Sequence, residues 1–422
     1  MMDPNQALII CGGRGTRLKP LTNRMPKPLL PVKGTPFLEF LMDYLKIQGF
    51  SNFILATGYK SKMIENYFGR GEDLGVNIDY SKERVPLGTG GAVKKAESLI
   101  TGKEIVVLNG DSFADLDLKK MIRLHNKMKQ PITMAVARTK DSGRSGQLGI
   151  NKGIVTRFEE KGKQKEGFVN AGVYVFRKEL LGSIPKKKVS LEKEIFPKFL
   201  GKIATFETNG YFIDIGVKKD YRRFKKEAGR IMPEKKRLAK KKAVFIDRDG
   251  VINKEKGYVH KLEDFDFEKS ALKGLRSIDF GNYSLFLVSN QSGIAKGYYT
   301  EEDFELFDFE IRNILRKRGV KVTKSYYCPH HSEGKVKEFK KDCVCRKPNP
   351  GLLLKAEKEF GVSLKDSYLI GDKTSDILAG KRAGCRTILV KTGYKGKDNL
   401  YSVKPDFTVR NLSEAVEIVN TA

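Results

Sequence analysis

Two aspartates one residue apart, Asp247 and Asp249 in AVFIDRDGVIN, directly follow an apolar run. Such a pair suits phosphoryl transfer through a covalent aspartyl phosphate. One carboxylate attacks phosphorus; the other protonates the leaving oxygen and later takes a proton from water. The phosphoryl oxygens then need a hydroxyl, backbone N–H groups and a lysine around them. A divalent cation held by oxygen ligands must offset the repulsion between anionic nucleophile and anionic substrate. The chain supplies these parts in order: Ser289-Asn290-Gln291 after SLFLV, Arg346-Lys347 before PNPG, and Asp372-Lys373 after YLIG. Each alone has an ordinary explanation, a helix cap or a solvated lysine, but four clusters in this order point to one site.

A second constellation is CPHHSEGKVKEFKKDCVC, from Cys328 to Cys345, with three of the five cysteines and two of the four histidines. Cys328-x-His330 and Cys343-x-Cys345 form two tight pairs joined by a 12-residue loop. Three thiolates and one imidazole make a closed tetrahedral zinc set with no position for a catalytic water. Zinc here would be structural, ordering a loop too polar to fold alone. His331 adjoins His330, and the spacing alone leaves the choice between them open. A redox device would want Cys-x-x-Cys at a helix start, which is absent. Cys11 and Cys385 have no such partners and are expected as small apolar core residues.

The third is LIICGGRGTRLKPLT, in which Gly12, Gly13 and Gly15 lie among Arg14, Thr16 and Arg17 after a strand-like run. Glycines let a backbone approach a phosphate closely and turn N–H groups toward it. The spacing matches neither a Walker loop nor the dinucleotide fingerprint. Further along come Lys27 in MPKPLLPV, Gly88 and Thr89 in PLGTGGA, Asp111 in LNGDSF, Lys161 in FEEKG, Asn170 in VNAGVYVF and Asp214 in FIDIG. Asp111 and Asp214, at separate strand ends, could clamp one Mg²⁺ between a triphosphate and an incoming phosphate. Nucleotidyl transfer of that kind needs no protein nucleophile, only positioning and charge stabilisation. The plain alternative is a generic α/β domain with a glycine turn and capping aspartates.

The elements that must carry these residues alternate. ALIICGG, FILATGY, IVVLNGD and AGVYVF read as strands in the first half; AVFIDRD, SLFLVSN, SYLIGD and TILV do so in the second. Helical patterns such as FLEFLMDYLKIQG and TEEDFELFDFEIRNILRKRG lie between them. This alternation predicts α/β sheets, largely parallel, in both halves. The seam is RIMPEKKRLAKKK, with seven basic residues and one acidic. It divides the chain into domains at 1–229 and 243–422 with a basic linker at 230–242. A chain of 422 residues supports two domains. The odd cysteine count fits a reducing compartment, and the start lacks the pattern of a signal peptide, so a cytoplasmic location is expected. A net charge of +30 suits anionic small molecules, nucleic acid or an anionic membrane. No aromatic-interleaved basic stripe favours nucleic acid, and no stable membrane association is expected.

Residues 243–392 resemble the haloacid dehalogenase superfamily, and DRDGVIN, SNQSGI, CRKPNPG and GDKTSDI resemble its heptose-bisphosphate and histidinol-phosphate phosphatases. The resemblance implies Asp247 as nucleophile and Asp249 as general acid/base. It implies Ser289, Asn290 and Lys347 around the phosphoryl group, with Gln291, Arg346 and Lys373 toward substrate. Mg²⁺ would rest on Asp247, the Asp249 carbonyl and Asp372. That branch carries its zinc loop just before CRKP, with His330 as the imidazole ligand. Asp376 is left between a supporting and a surface role. Residues 6–225 resemble the sugar-1-phosphate nucleotidyltransferases, whose fold is Rossmann-like with a mixed sheet. This implies Gly12, Gly13, Gly15, Thr16 and Arg17 on the nucleotide and Arg14 and Lys27 on its phosphates. Gly88 and Thr89 would meet the base, Lys161 and Asn170 the sugar phosphate, and Asp111 and Asp214 the Mg²⁺, with Asp111 also near the nucleotide. Cys11 stands where the family usually has Ala, and Val217 where Thr is common; no ligand is lost by either. PLGTGG is most similar to guanylyltransferases of the mannose- and heptose-1-phosphate type, which implies GTP. Together the halves imply two consecutive steps on a phosphorylated heptose, ending in a GDP-heptose. The alternative is a hexose-1-phosphate nucleotidyltransferase fused to a histidinol-phosphate or other small-molecule phosphatase. The anomer at C1 and any homo-oligomer stay open.

Overall fold

The run QALII forms a strand, Gln6–Ile10, with Ala7, Leu8 and Ile9 inaccessible to solvent. Uninterrupted apolar sequence of this kind belongs between two covered faces, and the strand lies inside a nine-stranded sheet. The computed structural model describes residues 6–139, 147–159, 166–208, 210–231 and 242–421. It separates into two units, Met1–Pro233 and Glu234–Ala422. Of the basic segment expected as a linker, residues 230 and 231 end the helix Lys218–Ile231 and Lys242 begins a strand; the rest lies outside the described residues.

In the first unit the strand order is Asn77–Lys82, Asn52–Thr57, Gln6–Ile10, Glu104–Asn109, Gly167–Arg177, Ile132–Thr139, Ile203–Glu207, Ile154–Glu159, Gln147–Asn151. The first four run parallel. Gly167–Arg177 is antiparallel to its neighbours Glu104–Asn109 and Ile132–Thr139, so the sheet is mixed, as the resemblance to the sugar-1-phosphate nucleotidyltransferases implies, and not largely parallel as the strand–helix alternation alone suggests. Alternating strand and helix patterns reported the parallel part; the antiparallel strands after Ile132 come without intervening long helices. Gln6–Ile10 has a parallel neighbour on each side, and beyond its carboxyl end the chain turns into the glycine loop. That is where ligands gather in an open α/β sheet. Leu8, Val107, Tyr174, Phe176 and Phe196 belong to the core on one face.

The second unit is a six-stranded, wholly parallel sheet ordered Val322–Cys328, Tyr283–Asn290, Lys242–Ile246, Tyr368–Gly371, Arg386–Val390, Phe407–Val409. Separate apolar clusters cover its faces. One includes Leu285, Phe304, Phe307 and Val416, the other Phe286, Leu353, Leu369 and Ala379. Helix Glu301–Lys317 is fixed at its start by a capping box between Thr300 and Asp303 and carries Arg316 and Lys317 in its last turn. Both devices complement the unpaired ends and dipole of the helix. Phe304, Phe307, Ile311 and Leu315, at helical spacing, are its buried stripe.

Candidate active sites

The glycine loop of the first unit opens onto a cavity of about 520 Å³. Gly15 has φ +60, and a Cβ there would lie 2.9 Å from Thr22 Cγ2, so both conformation and space demand glycine. Gly88, at φ +72, would bring a Cβ within 2.6 Å of the Val189 carbonyl oxygen. Gly12, Gly13, Gly15, Thr16, Arg17, Lys27, Gly88, Thr89, Asp111, Asn170 and Asp214 all line this cavity. Arg14 is exposed and is not among the lining residues, and Lys161 lies outside the described residues.

Lys27 is buried, and its Nζ lies 2.7 Å from Asp111 Oδ2 and 3.5 Å from Asp214 Oδ1. Arg17 approaches Asp214 at 4.0 Å. Burial and then the neighbouring Asp111 raise the Asp214 carboxyl above its ordinary range, against the pull of Lys27. Two carboxylates converging on one ammonium form an oxygen-rich corner that suits a divalent cation. Asn170 has its amide engaged with the Tyr174 hydroxyl at 2.7 Å and accepts from Gly172 N–H.

In the second unit the parallel strands deliver carboxylates to one end of the sheet. Asp247 follows Lys242–Ile246 and Asp372 follows Tyr368–Gly371. Asp376 stands on the first turn of helix Thr374–Ala383 and is fully buried, which rules out a surface role. Oxygens of Asp247, Asp372 and Asp376 lie within 4.8 Å of one another. Lys347, 3% exposed, places Nζ 3.0 Å from Asp247 Oδ1 and 2.5 Å from Asp376 Oδ1, and donates to the Val288 carbonyl at 3.0 Å. Asn290 grips the Lys347 backbone through two 3.0 Å bonds, one given and one received. Burial, then the charge of Asp376, raises the Asp247 carboxyl; burial, then Asp247, raises Asp372. For Asp249 burial acts upward too, but the Arg248 guanidinium and its hydrogen bonds outweigh it and hold the carboxyl low. Asp372 Oδ1 is buried without a hydrogen-bond partner among the described residues. A Cβ on Gly250 would sit 2.3 Å from Asp372 Oδ2. A buried, unpartnered carboxylate oxygen beside the oxygens of Asp247 and Asp376 fits a Mg²⁺ position.

The loop Cys328–Cys345 closes on itself. Sγ–Sγ separations are 3.4 Å for Cys328–Cys343, 3.3 Å for Cys328–Cys345 and 3.2 Å for Cys343–Cys345, and His330 Nδ1 is 3.4 Å from Cys345 Sγ. All of these cysteines are free. The separations exceed a disulfide bond of about 2.05 Å and lie slightly inside the edge of about 3.8 Å that a zinc–thiolate tetrahedron would have. The donor set therefore fits zinc. His331 is turned elsewhere, accepting from Glu333 N–H. Arg346 follows Cys345 directly; its N–H donates to Cys343 Sγ and its Nη1 to the His330 carbonyl. These two bonds tie Arg346, and with it Lys347, to the cysteine–histidine cluster.

Residues 6–230 match the family described as nucleotidyl transferase, and residues 344–415 match the HAD-hydrolase-like family. D-glycero-alpha-D-manno-heptose 1-phosphate guanylyltransferase of Aneurinibacillus thermoaerophilus is 41% identical over 225 residues, 53% of this chain and 97% of that protein. D-glycero-alpha-D-manno-heptose-1,7-bisphosphate 7-phosphatase of Photorhabdus laumondii is 47% identical over 154 residues, 36% of this chain and 84% of that protein. The corresponding beta-anomer phosphatase of Pasteurella multocida is also 47% identical over 154 residues, 36% of this chain and 83% of that protein. The chain belongs to both families.

In this nucleotidyltransferase–phosphatase fusion, several residues near the sites escaped the sequence reading. Glu192 lines the cavity at the glycine loop and accepts from Thr89 Oγ1 at 2.7 Å. Glu83 and Asn109 line it too. A carboxylate on a short helical turn has no sequence signal of its own. Gln291, expected toward substrate, spends its amide on Asp249 and Ser289 and its carbonyl oxygen on the Tyr299 hydroxyl. Lys373, expected beside it, pairs with Glu255 at 3.0 Å and lies over the Tyr394 ring. Cys11 is buried and lines the cavity at the glycine loop, and Cys385 lies in the core.

Proposed function

We propose that the chain carries out two consecutive steps toward a GDP-heptose. The phosphatase half removes the 7-phosphate of D-glycero-D-manno-heptose 1,7-bisphosphate, and the transferase half joins GMP from GTP to the resulting heptose 1-phosphate, releasing pyrophosphate. The observation that carries this reading is that one chain joins two halves whose relatives are named for adjacent compounds, each with its charged cluster assembled.

On this reading an Asp247 oxygen attacks phosphorus as the bond to the sugar O7 breaks, and Asp249 gives its proton to O7. Asp249 then takes a proton from the water that attacks the aspartyl phosphate, freeing phosphate and restoring Asp247. Lys347 and Ser289 surround the phosphoryl oxygens, Asn290 holds Lys347 in place, and Arg346 meets the substrate. Mg²⁺ on Asp247, the Asp249 carbonyl and Asp372, with Asp376 in support, would neutralise charge between nucleophile and substrate. Zinc on Cys328, His330, Cys343 and Cys345 would be structural. In the transferase half, an oxygen of the 1-phosphate displaces pyrophosphate from the α-phosphorus. Gly12, Gly13, Gly15, Thr16 and Arg17 cradle the nucleotide, with Arg14 and Lys27 on its phosphates and Gly88 and Thr89 by the base. Asp111 and Asp214 would hold the second Mg²⁺, and Asn170 and Lys161 the sugar phosphate.

Both halves must accept the same anomer. The phosphatase half is equally similar to an alpha and a beta enzyme, whereas the guanylyltransferase relative is an alpha enzyme, so the alpha anomer is the one proposed. No helix among the described residues is long and apolar enough to cross a membrane, and a cytoplasmic enzyme agrees with its free cysteines.

The test is mass spectrometry of products from the full chain with Mg²⁺, GTP, ATP, CTP and UTP together, and each anomer of the bisphosphate in separate runs. GDP-heptose from the alpha anomer is the expected product. Phosphate release with another nucleotide sugar would overturn the base, and no phosphate release from either anomer would overturn the sugar.

A further inference from the structure

Arg248, between Asp247 and Asp249, does not reach outward. It is 2% exposed, and its guanidinium lies 5.4 Å from the Phe304 ring centre and 4.9 Å from that of Phe307. Both rings belong to helix Glu301–Lys317. Nε donates to Asp249 Oδ1 at 3.1 Å, and Nη2 donates to Oδ1 and Oδ2 at 2.8 Å each and to the Val259 carbonyl at 2.7 Å. Nη1 is buried without a hydrogen-bond partner among the described residues. From the other side Asn253 Nδ2 donates to Oδ1 and Gln291 Nε2 to Oδ2, each at 3.1 Å. Gln291 is itself held by the Tyr299 hydroxyl at 2.8 Å. Each donor side chain is at least nine-tenths buried: Arg248 2%, Gln291 2% and Asn253 0% exposed.

We propose that Arg248 is the positioning residue for Asp249: braced by Phe304 and Phe307, its planar fork fixes both carboxylate oxygens and so the direction from which the proton reaches the leaving oxygen. The inference rests on the reading of Asp249 as general acid; because Arg248 also holds the free carboxyl low, what it contributes is placement of the group and not acidity. Two facts separate it from charge balance alone. A lysine would balance the charge but cannot grip two oxygens from one plane. The two aromatic rings fix the guanidinium plane, which charge balance does not require. General acid catalysis contributes about 10²–10⁴-fold, and a displacement of about 1 Å can cost about 10²-fold, so losing the fork should remove much of that contribution.

The test compares two substrates on the full chain. The heptose bisphosphate has an alkyl leaving group that needs a proton, whereas p-nitrophenyl phosphate has one that departs unprotonated. kcat/KM reports the steps through first P–O cleavage and leaves out the later role of Asp249 as base. R248M and R248K should each lower kcat/KM for the bisphosphate by about 10²-fold and for the aryl ester by less than about fivefold, with Asp249→Asn giving the same selectivity. Equal losses on both substrates, or no loss on the bisphosphate, would overturn the positioning role while a selective Asp249→Asn leaves the acid assignment standing. An unselective Asp249→Asn would remove the acid assignment and the proposal with it. Thermal circular dichroism checks folding; if R248M unfolds, R248K alone decides by the same ratio.

Discussion

Replacing Lys347 with Met tests the electrostatics of the phosphatase site most directly. Its side chain is 1% exposed and touches Asp247 at 3.0 Å and Asp376 at 2.5 Å. Without it, Asp247, Asp372 and Asp376 remain buried together, with only Lys373 acting on Asp247 and Asp372 from a more exposed position. Removing one partner of a buried ion pair costs about 3–5 kcal/mol, a large part of the roughly 5–15 kcal/mol that holds a domain folded. At about 2–4 °C per kcal/mol for a domain of this size, the phosphatase transition should fall by roughly 6–20 °C. The sign of the pH dependence follows from the carboxyls. The folded Asp247 is already raised by burial and Asp376, and Lys347 opposes that rise; without the lysine it rises further. A raised folded pKa gives stability that is fully present below the unfolded value and lost as pH climbs through the folded one. The deficit of K347M relative to wild type should therefore be smaller at pH 5 than at pH 8. The chain has no tryptophan, so urea unfolding would be followed by circular dichroism, in magnesium-free buffer. Adding Asp247→Asn to K347M should recover much of the loss at pH 8. A deficit equal at both pH values, or larger at pH 5, would refute the reasoning.

Three further outcomes are expected. Cys345→Ser should lower bound zinc, measured by atomic emission, and cut phosphatase activity at least about tenfold, since losing even a group that only orients a metal ligand commonly costs about 10–100-fold, while guanylyl transfer is unchanged; equal loss of both activities would contradict a local role. Asp111→Asn should lower formation of GDP-heptose from supplied heptose 1-phosphate by about 10²–10³-fold and leave phosphate release from the bisphosphate intact, both read by chromatography. His125 is inaccessible, and burial followed by the charge of Arg177 depresses it to about 4. The unfolded chain then binds the extra proton between about pH 6.5 and 4, so the transferase unit should lose at most about 3 kcal/mol as pH falls through that window; a His125→Gln variant whose urea midpoint keeps the same slope would exclude this cause.

The phosphatase site was legible because its parts follow strands. Buried parallel strands read as unbroken apolar runs, and a polar residue just after one must emerge at the ligand end of the sheet. That is how Asp247, Ser289 and Asp372 could be seen together although 125 positions separate the first from the last. The convergence of Cys328, His330, Cys343 and Cys345 was legible from their spacing. Arg248 was not, because an arginine between two aspartates reads as a solvated charge until Phe304 and Phe307, more than 50 positions away, close over it. Gln291 was misdirected for a similar reason: nothing local says that Tyr299 and Asp249 will take its polar groups. The antiparallel strands of the transferase sheet were implied only by the family resemblance, because Gly167–Arg177 is buried along most of its length and its pattern alone is that of a parallel strand.

On the proposed mechanism the two halves handle phosphate by different means, and the difference follows from what each must do. In the phosphatase site Asp247, Lys347, Asp372 and Asp376 are all no more than 4% exposed. On that mechanism a covalent aspartyl phosphate must be kept from stray water until Asp249 activates one molecule, and enclosure strengthens every charge that would stabilise it. In the transferase cavity Lys27 is buried too, but the carboxylates are wetter: side chains of Asp111 and Asp214 are 42% and 44% exposed, and that of Arg17 is 64% exposed. There the protein forms no bond to substrate. A triphosphate arrives with its own charge compensation, and pyrophosphate must leave, so backbone N–H groups around glycines suffice as an open cradle. On the proposed order of reactions, the irreversible hydrolysis precedes the nucleotidyl exchange, whose bond energies are nearly balanced. Joining the halves fixes one hydrolytic site per transfer site, so heptose 1-phosphate is supplied where equal numbers of sites consume it. The phosphatase must then leave the anomeric phosphate untouched. A correctly aimed proton donor serves that end, because an alkyl oxygen at C7 depends on the proton more than the better leaving group at C1 would.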